Sequence, residues 1–133
     1  YQFSFDRMLQ FEGNTATFIL YAYVRIQSIQ RKVGLDQADL SQAEIAYQHP
    51  SELALGLQLA RFPDLIEKIK QDLMPHSLTD YLYETAQTFN VFFRDCRVSG
   101  SVEEKQRWLI CELTAQVIKA GLALLGIETL DRM

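Results

Sequence analysis

Very little in this sequence is equipped for covalent or metal chemistry. Its 133 residues include two cysteines, Cys96 and Cys111, and two histidines, His49 and His76. The cysteines show no CxxC spacing and no neighbouring histidine, so a zinc site has no ligand set and reduced packing thiols are expected. Each histidine adjoins a proline at an expected helix boundary, which suits a capping or surface role. There is no glycine-rich phosphate loop, no HxGH-like or lysine–serine signature for ATP activation, and no Ser/His/Asp constellation. The chain alone is therefore expected to be non-catalytic. No apolar run approaches the roughly 18 residues that span a bilayer, and Tyr1–Gln10 lacks the apolar core and cleavage site of a signal peptide. A cytoplasmic place without membrane contact is the resulting expectation. Basic residues are also short: 13 Lys and Arg against 17 Asp and Glu give a net charge of −4. That argues against non-specific nucleic-acid binding while leaving recognition at one patch open.

What is present is apolar and periodic. Hydrophobic residues make up 48% of the chain, with only three prolines and six glycines, which suits one ordered domain with a real core. The expected fold is all-α, a bundle of about five to six helices. The first runs from about Asn14 to Val33, with Gly13-Asn14-Thr15 as its entry turn and Gly34 as its stop. Its buried face is Ile19, Ala22, Ile26, Ile29 and Val33, and the rest of the chain is expected to be arranged around it. Asp36–Tyr47 is a weaker amphipathic segment. His49-Pro50-Ser51-Glu52 opens another helix, because proline at a first helical position loses no useful N–H. Phe62-Pro63-Asp64 breaks it, and Leu65, Ile66, Ile69 and Leu73 continue as the second arm of a hairpin that Pro75 ends. Ser77-Leu78-Thr79-Asp80 reads as a capping box for a helix burying Leu78, Tyr81, Leu82, Thr85, Phe89 and Phe92. Arg97–Gly100 is a loop and Ser101-Val102-Glu103-Glu104 a second capping box. The last helix buries Trp108, Cys111, Ala115, Ile118, Leu122 and Leu125, ending at Gly126.

One stripe on the first helix does not fit simple packing. Phe18, Tyr21, Arg25, Ser28 and Lys32 share an edge beside the apolar face. Rings and a guanidinium in line suit flat, anionic partners such as nucleic-acid bases on their phosphates. From residue types alone another arrangement stays open, in which the rings pack on a neighbouring helix and Arg25 pairs with a carboxylate. An acidic protein-interaction module also stays open, since Tyr and Arg anchor many interfaces.

Several segments carry a resemblance. Glu12-Gly13-Asn14-Thr15-Ala16 followed by Tyr21-Ala22-Tyr23-Val24-Arg25-Ile26 resembles the opening helix of the anticodon-binding (DALR-type) domain of class I arginyl-tRNA synthetases. Phe3–Leu9 resembles the junction with that enzyme's catalytic domain. The resemblance continues through Leu59-Ala60-Arg61-Phe62-Pro63, Tyr81-Leu82-Tyr83, Phe89-Asn90 and Gly121–Ile127, and ends at Asp131-Arg132-Met133. It implies that residues 1–12 are the tail of a linker and 13–133 the helical domain, and that the chain, which has no initiator methionine, is a fragment. It also implies that Phe18, Tyr21, Arg25, Phe89, Phe93 and Met133 lie at the surface that meets the anticodon loop of arginine tRNA, with Lys32 and Arg31 on the RNA backbone. ATP and magnesium would belong to the catalytic domain, a partner of this one in a monomer. Thr17, Phe18 and Leu20 depart from the family, which more often has Pro, Tyr and Gln there, so a hydrogen bond from a tyrosine hydroxyl at Phe18 is lost. The anticodon-binding domain of another class I synthetase is the nearest alternative. The Gly13–Ala16 run and the Arg132-Met133 end are what point to arginine.

Overall fold

The computed structural model describes residues 5–34, 46–72, 75–127 and 129, the side chains of 5–14 and 75 excepted. Five helices are present among them: α1 (Phe5–Val33), α2 (Pro50–Ala60), α3 (Phe62–Asp72), α4 (Pro75–Asp95) and α5 (Glu104–Leu124). No strand occurs among the described residues, so the all-α expectation holds. Most of Asp36–Tyr47, Leu73 and Met133 fall outside the described residues. No described helix is long and apolar enough to cross a membrane.

The centre of the bundle is α4, where the sequence pointed to α1. α4 packs against all four other helices, whereas α1 rests mainly on α4 and α5. The reason is the width of its apolar face. Leu78, Tyr81, Leu82, Thr85, Ala86, Phe89 and Phe92 are all buried, and recurrence at three- and four-residue steps keeps them on one broad face. Ile19, Ala22, Ile26 and Ile29 of α1 seat against that core, as do Trp108, Cys111, Ala115, Ile118 and Leu122 of α5.

Helix boundaries test the local rules. Gly34, with φ of +68°, ends α1 as expected, and its N–H bonds the Gln30 carbonyl at 3.0 Å. The expected entry turn at Gly13–Thr15 is not there, because α1 runs through it from Phe5. An interior glycine costs only about 1 kcal/mol against alanine, too little to stop a helix in the middle. Pro50 opens α2 as expected. His49 Nδ1 accepts the Ser51 N–H at 3.0 Å, and the Glu52 carboxylate accepts the His49 N–H at 2.8 Å, a reciprocal cap that gives His49 the role anticipated for it.

The two serine capping boxes do not form. α4 begins at Pro75, two residues earlier, so Ser77 lies within its first turn; proline is well suited to that first position. At α5 no side chain caps the Glu103 position. The Ser101 hydroxyl instead donates backwards to the Val98 carbonyl at 2.9 Å, and Glu104 receives the Gly100 N–H.

α2 is clamped to α4 at both ends. Ser51 Oγ donates to Asp95 at 2.8 Å, and at the far end the buried Tyr81 hydroxyl donates to the Gln58 carbonyl at 2.6 Å. α3 completes the hairpin with Leu65, Ile66 and Ile69 only half-buried against the core. Cys96 and Cys111 are buried and unbonded to each other, packing residues as expected.

Candidate nucleic-acid interface

The edge of α1 that drew attention in the sequence lies alongside the second half of α4, and the two helices build one surface. Phe18 is half-buried; its ring sits 5.0 Å from that of Tyr83 at 48°, a packed aromatic pair. One turn on, Tyr21 is 57% exposed. A tyrosine held on a helix and left open in this way offers a free ring face together with a hydroxyl.

Arg25 is exposed and tethered twice. Its Nη1 donates to Asn90 Oδ1 at 2.8 Å, and its guanidinium lies 4.9 Å over the Phe93 ring. The carboxylate partner of a merely structural arginine is not found: among the described residues no ion pair involves Arg25. Its amide and ring partners are neutral, so they orient the charge without cancelling it.

Phe93 is 39% exposed and serves as the second open ring. Phe89 does not. It is fully buried, so its expected place on the contact surface is corrected to one beneath it. Phe89 faces Phe93 at 6.1 Å between ring centroids and fixes where that ring stands. Ser28 and Lys32 continue the stripe into a cavity of about 470 Å³, shared with Arg25, Phe93 and the residues that follow Phe93. Arg31 is exposed in the same turn and does not line it.

The structure thus brings Phe18, Tyr21, Arg25, Lys32 and Phe93 to one side, removes Phe89 from contact, and leaves Met133 outside the described residues. Two things escaped the sequence. Asn90 stood as either polar reader or solvated residue, and the structure makes it the partner that holds Arg25. Arg94 and Arg97 also line the cavity. A signal for them existed, one arginine near the end of the helix on which Phe93 was already a candidate and one opening the loop after it, but only the fold shows that they line this cavity with α1.

Behind the same end of α4 lies a buried ionic group, which reaches the loop after α4 through Arg107 Nη1 and the Arg97 carbonyl. Glu52 is fully buried and pairs with Arg107 at 3.4 Å. Burial pushes the Glu52 carboxyl up, but hydrogen bonds from the Gln48 and His49 backbone and from Gln106 and Arg107 outweigh it and leave the group below its ordinary 4.5. Burial likewise raises both thiols above their usual range, Cys111 the further.

Comparison with known proteins agrees with the geometry. Residues 19–133 match the DALR anticodon binding domain family. The arginine–tRNA ligase of Chlamydia caviae is 53% identical over 133 residues, all of this chain and 23% of that protein. That of Protochlamydia amoebophila is 50% identical over 134 residues, again 23% of its length. Among solved structures, arginyl-tRNA synthetase from Plasmodium falciparum superposes with a TM-score of 0.82 at 36% identity, covering all of this chain and 24% of that one. The Thermus thermophilus enzyme gives 0.74 at 30% identity, over 88% of this chain and 21% of that one. The chain spans about a quarter of the length of the curated relatives it matches.

Proposed function

The chain belongs to the DALR anticodon binding domain family, and from that premise we propose that it reads the anticodon loop of arginine tRNA as part of a longer arginine–tRNA ligase. Sequence-specific RNA reading favours single-stranded loops, whose unstacked bases can be splayed onto aromatic side chains and hydrogen-bonded along their edges. The observation that carries this reading is the Tyr21–Arg25–Phe93 surface. Two open rings flank a guanidinium whose direction is set by Asn90 and whose charge no described carboxylate cancels. Tyr21 and Phe93 supply stacking faces, each base stack being worth about 1–3 kcal/mol, and Arg25 supplies a fork of donors to a base edge. Phe18 contributes its exposed part, and Met133 at the end of the chain is assigned to the same surface. Residues 1–12 lead in from the catalytic domain, which activates arginine with ATP and magnesium; this chain identifies the tRNA and takes no part in the chemistry. The protein works as a cytoplasmic monomer.

The test is the affinity of the full-length protein for arginine tRNA and for the same tRNA with an exchanged anticodon. The unaltered protein should favour the first. Arg25→Ala and Tyr21→Ala should each reduce that preference by about 1–3 kcal/mol, roughly 5- to 150-fold. Equal binding of the two tRNAs by the unaltered protein would overturn the reading.

A further inference from the structure

The anticodon reading leaves Arg94, Arg97 and the cavity between α1 and the end of α4 unused. That cavity, of about 470 Å³, collects four cations: Arg25 and Lys32 from α1, and Arg94 and Arg97 from the end of α4 and the loop that follows. Only one of the four takes part in an ion pair among the described residues. Arg94 bonds Asp95 at 2.9 Å, whereas among the described residues no ion pair involves Arg25, Lys32 or Arg97. Three cations without an ion pair meet here in a chain whose net charge is −4. A cleft lined by one sign of charge concentrates its field and raises the local concentration of the opposite charge. Ser28 and Ser99 add polar groups to the same walls.

The loop is held in place beforehand. Arg97 Nε donates to the Ser99 carbonyl at 2.8 Å. The Arg97 carbonyl accepts Arg107 Nη1 at 2.7 Å, and Arg107 is itself anchored on buried Glu52. The loop's backbone is therefore ordered before any ligand arrives, which lowers the entropy lost on binding.

We infer that this cavity is a phosphodiester site, in which Arg97, Lys32 and, to a smaller degree, Arg94 grip the backbone of the RNA strand beside the bases that face Tyr21 and Phe93. This rests on the RNA reading above and adds to it the element that sets register instead of sequence. Phosphate contacts position a nucleic acid without carrying sequence information. An acidic peptide would also answer three cations. Phe93 on the cavity wall, with Tyr21 on the same edge of α1, favours a strand that brings bases with its charges.

The experiment measures the salt dependence of arginine-tRNA binding by full-length protein, unaltered and carrying Arg97→Gln, Lys32→Gln, Arg94→Gln or Arg97→Lys. Each phosphate contact on a single strand contributes about 0.7 to the slope of log affinity against log salt. Arg97→Gln and Lys32→Gln should each lower the slope by about that amount and weaken binding about eightfold at about 50 mM salt. They should do so equally for cognate and anticodon-exchanged tRNA. Arg97→Lys, which keeps the charge, should retain the slope, and Arg94→Gln should change it least because Asp95 already compensates that charge. Lys32 is exposed, so its variant folds even if an Arg97 variant is impaired. An unchanged slope in both Arg97→Gln and Lys32→Gln overturns the proposal, even if inorganic phosphate is seen to enter the cavity. The two readings fail separately. Loss of anticodon preference in the unaltered protein defeats base reading alone, and an unmoved slope with preference intact defeats the phosphodiester site alone.

Discussion

Replacing Glu52 by glutamine should destabilise this fold by more than any surface change, and the amount follows from its partners. The fully buried carboxylate accepts the Gln48 N–H at 3.0 Å, the His49 N–H at 2.8 Å, Gln106 Nε2 at 3.1 Å and Arg107 Nε at 3.4 Å. A glutamine oxygen can keep the two backbone bonds at the α2 cap. Its nitrogen then faces two donors, Gln106 and Arg107. Gln106 cannot simply rotate its amide, because its oxygen already accepts the Ala46 N–H at 2.9 Å. The variant thus loses a charge-assisted bond, about 1.5–3 kcal/mol, and leaves a buried donor unpaired for about 1 kcal/mol more. A total of about 2–4 kcal/mol should lower the melting temperature by about 10 °C in a chain of this size. The pH dependence is a second readout. Glu52 titrates below its ordinary 4.5 in the folded chain, so its contribution is present above pH 4.5 and is lost as pH falls through the depressed value. Glutamine does not titrate there. The gap between the two proteins in thermal denaturation should be constant near neutrality and close as the pH drops below about 4.5. A gap under about 0.5 kcal/mol, or one that persists unchanged into acid, would refute the assignment of the ionised carboxylate as the anchor of α2 and α5.

Three further outcomes are expected. A Cβ at Gly121 would lie 2.6 Å from Leu82 Cδ2, and Leu82 is fully buried, so Gly121→Ala should cost about 1–3 kcal/mol by overpacking, read from the denaturant midpoint. Neither Cys96 nor Cys111 should react with a thiol reagent in the native protein, since burial holds both as neutral thiols; mass spectrometry should find label only after unfolding. Asn90→Ala frees the Arg25 guanidinium without removing it. Melting temperature should barely move, while tRNA affinity should fall by less than with Arg25→Ala; a larger loss would make Asn90 itself a base reader.

The sequence carried the fold where burial repeats over several turns. Leu78 to Phe92 and Trp108 to Leu125 bury the residues their spacing predicts, because each such side chain contributes about 1.5–3 kcal/mol and the pattern is summed over a whole helix. Local signals were less decisive. A cap is worth about 1 kcal/mol, so Gly13-Asn14-Thr15 could not start a helix that eight preceding residues already continue, and Ser101 found a carbonyl behind it. His49-Pro50 succeeded because Glu52, which completes the cap, is held by α5 as well. The ranking of α1 over α4 failed for a related reason: periodicity gives the direction of a face, not how many neighbours cover it. The site was legible by half. Helical spacing alone placed Phe18, Tyr21, Arg25 and Lys32 on one edge. What lies across from that edge depends on helix packing, so Asn90, Arg94 and Arg97 could not be paired with it; Phe89 and Phe93 were told apart by helical spacing, which puts Phe89 on the apolar face and Phe93 at its edge.

The distribution of charge matters more to the proposed partner than the total does. Net charge bears on solubility and long-range steering, and at −4 it opposes RNA at a distance. At contact, only charges within about a Debye length, roughly 8–10 Å in physiological salt, are felt strongly. Within the cavity between α1 and α4 the charged lining consists of four cations, one of them offset by Asp95. Many of the acids stand elsewhere, Asp64 and Glu67 on α3 and Glu112 on α5, for example, although Glu104 accepts the Gly100 N–H behind the loop that carries Arg97. If the cavity is the phosphodiester site proposed above, RNA should be held weakly wherever the strand cannot reach it and tightly where it can. Acidity outside the site then favours specificity, because it penalises every docking that does not place phosphates between Lys32 and Arg97.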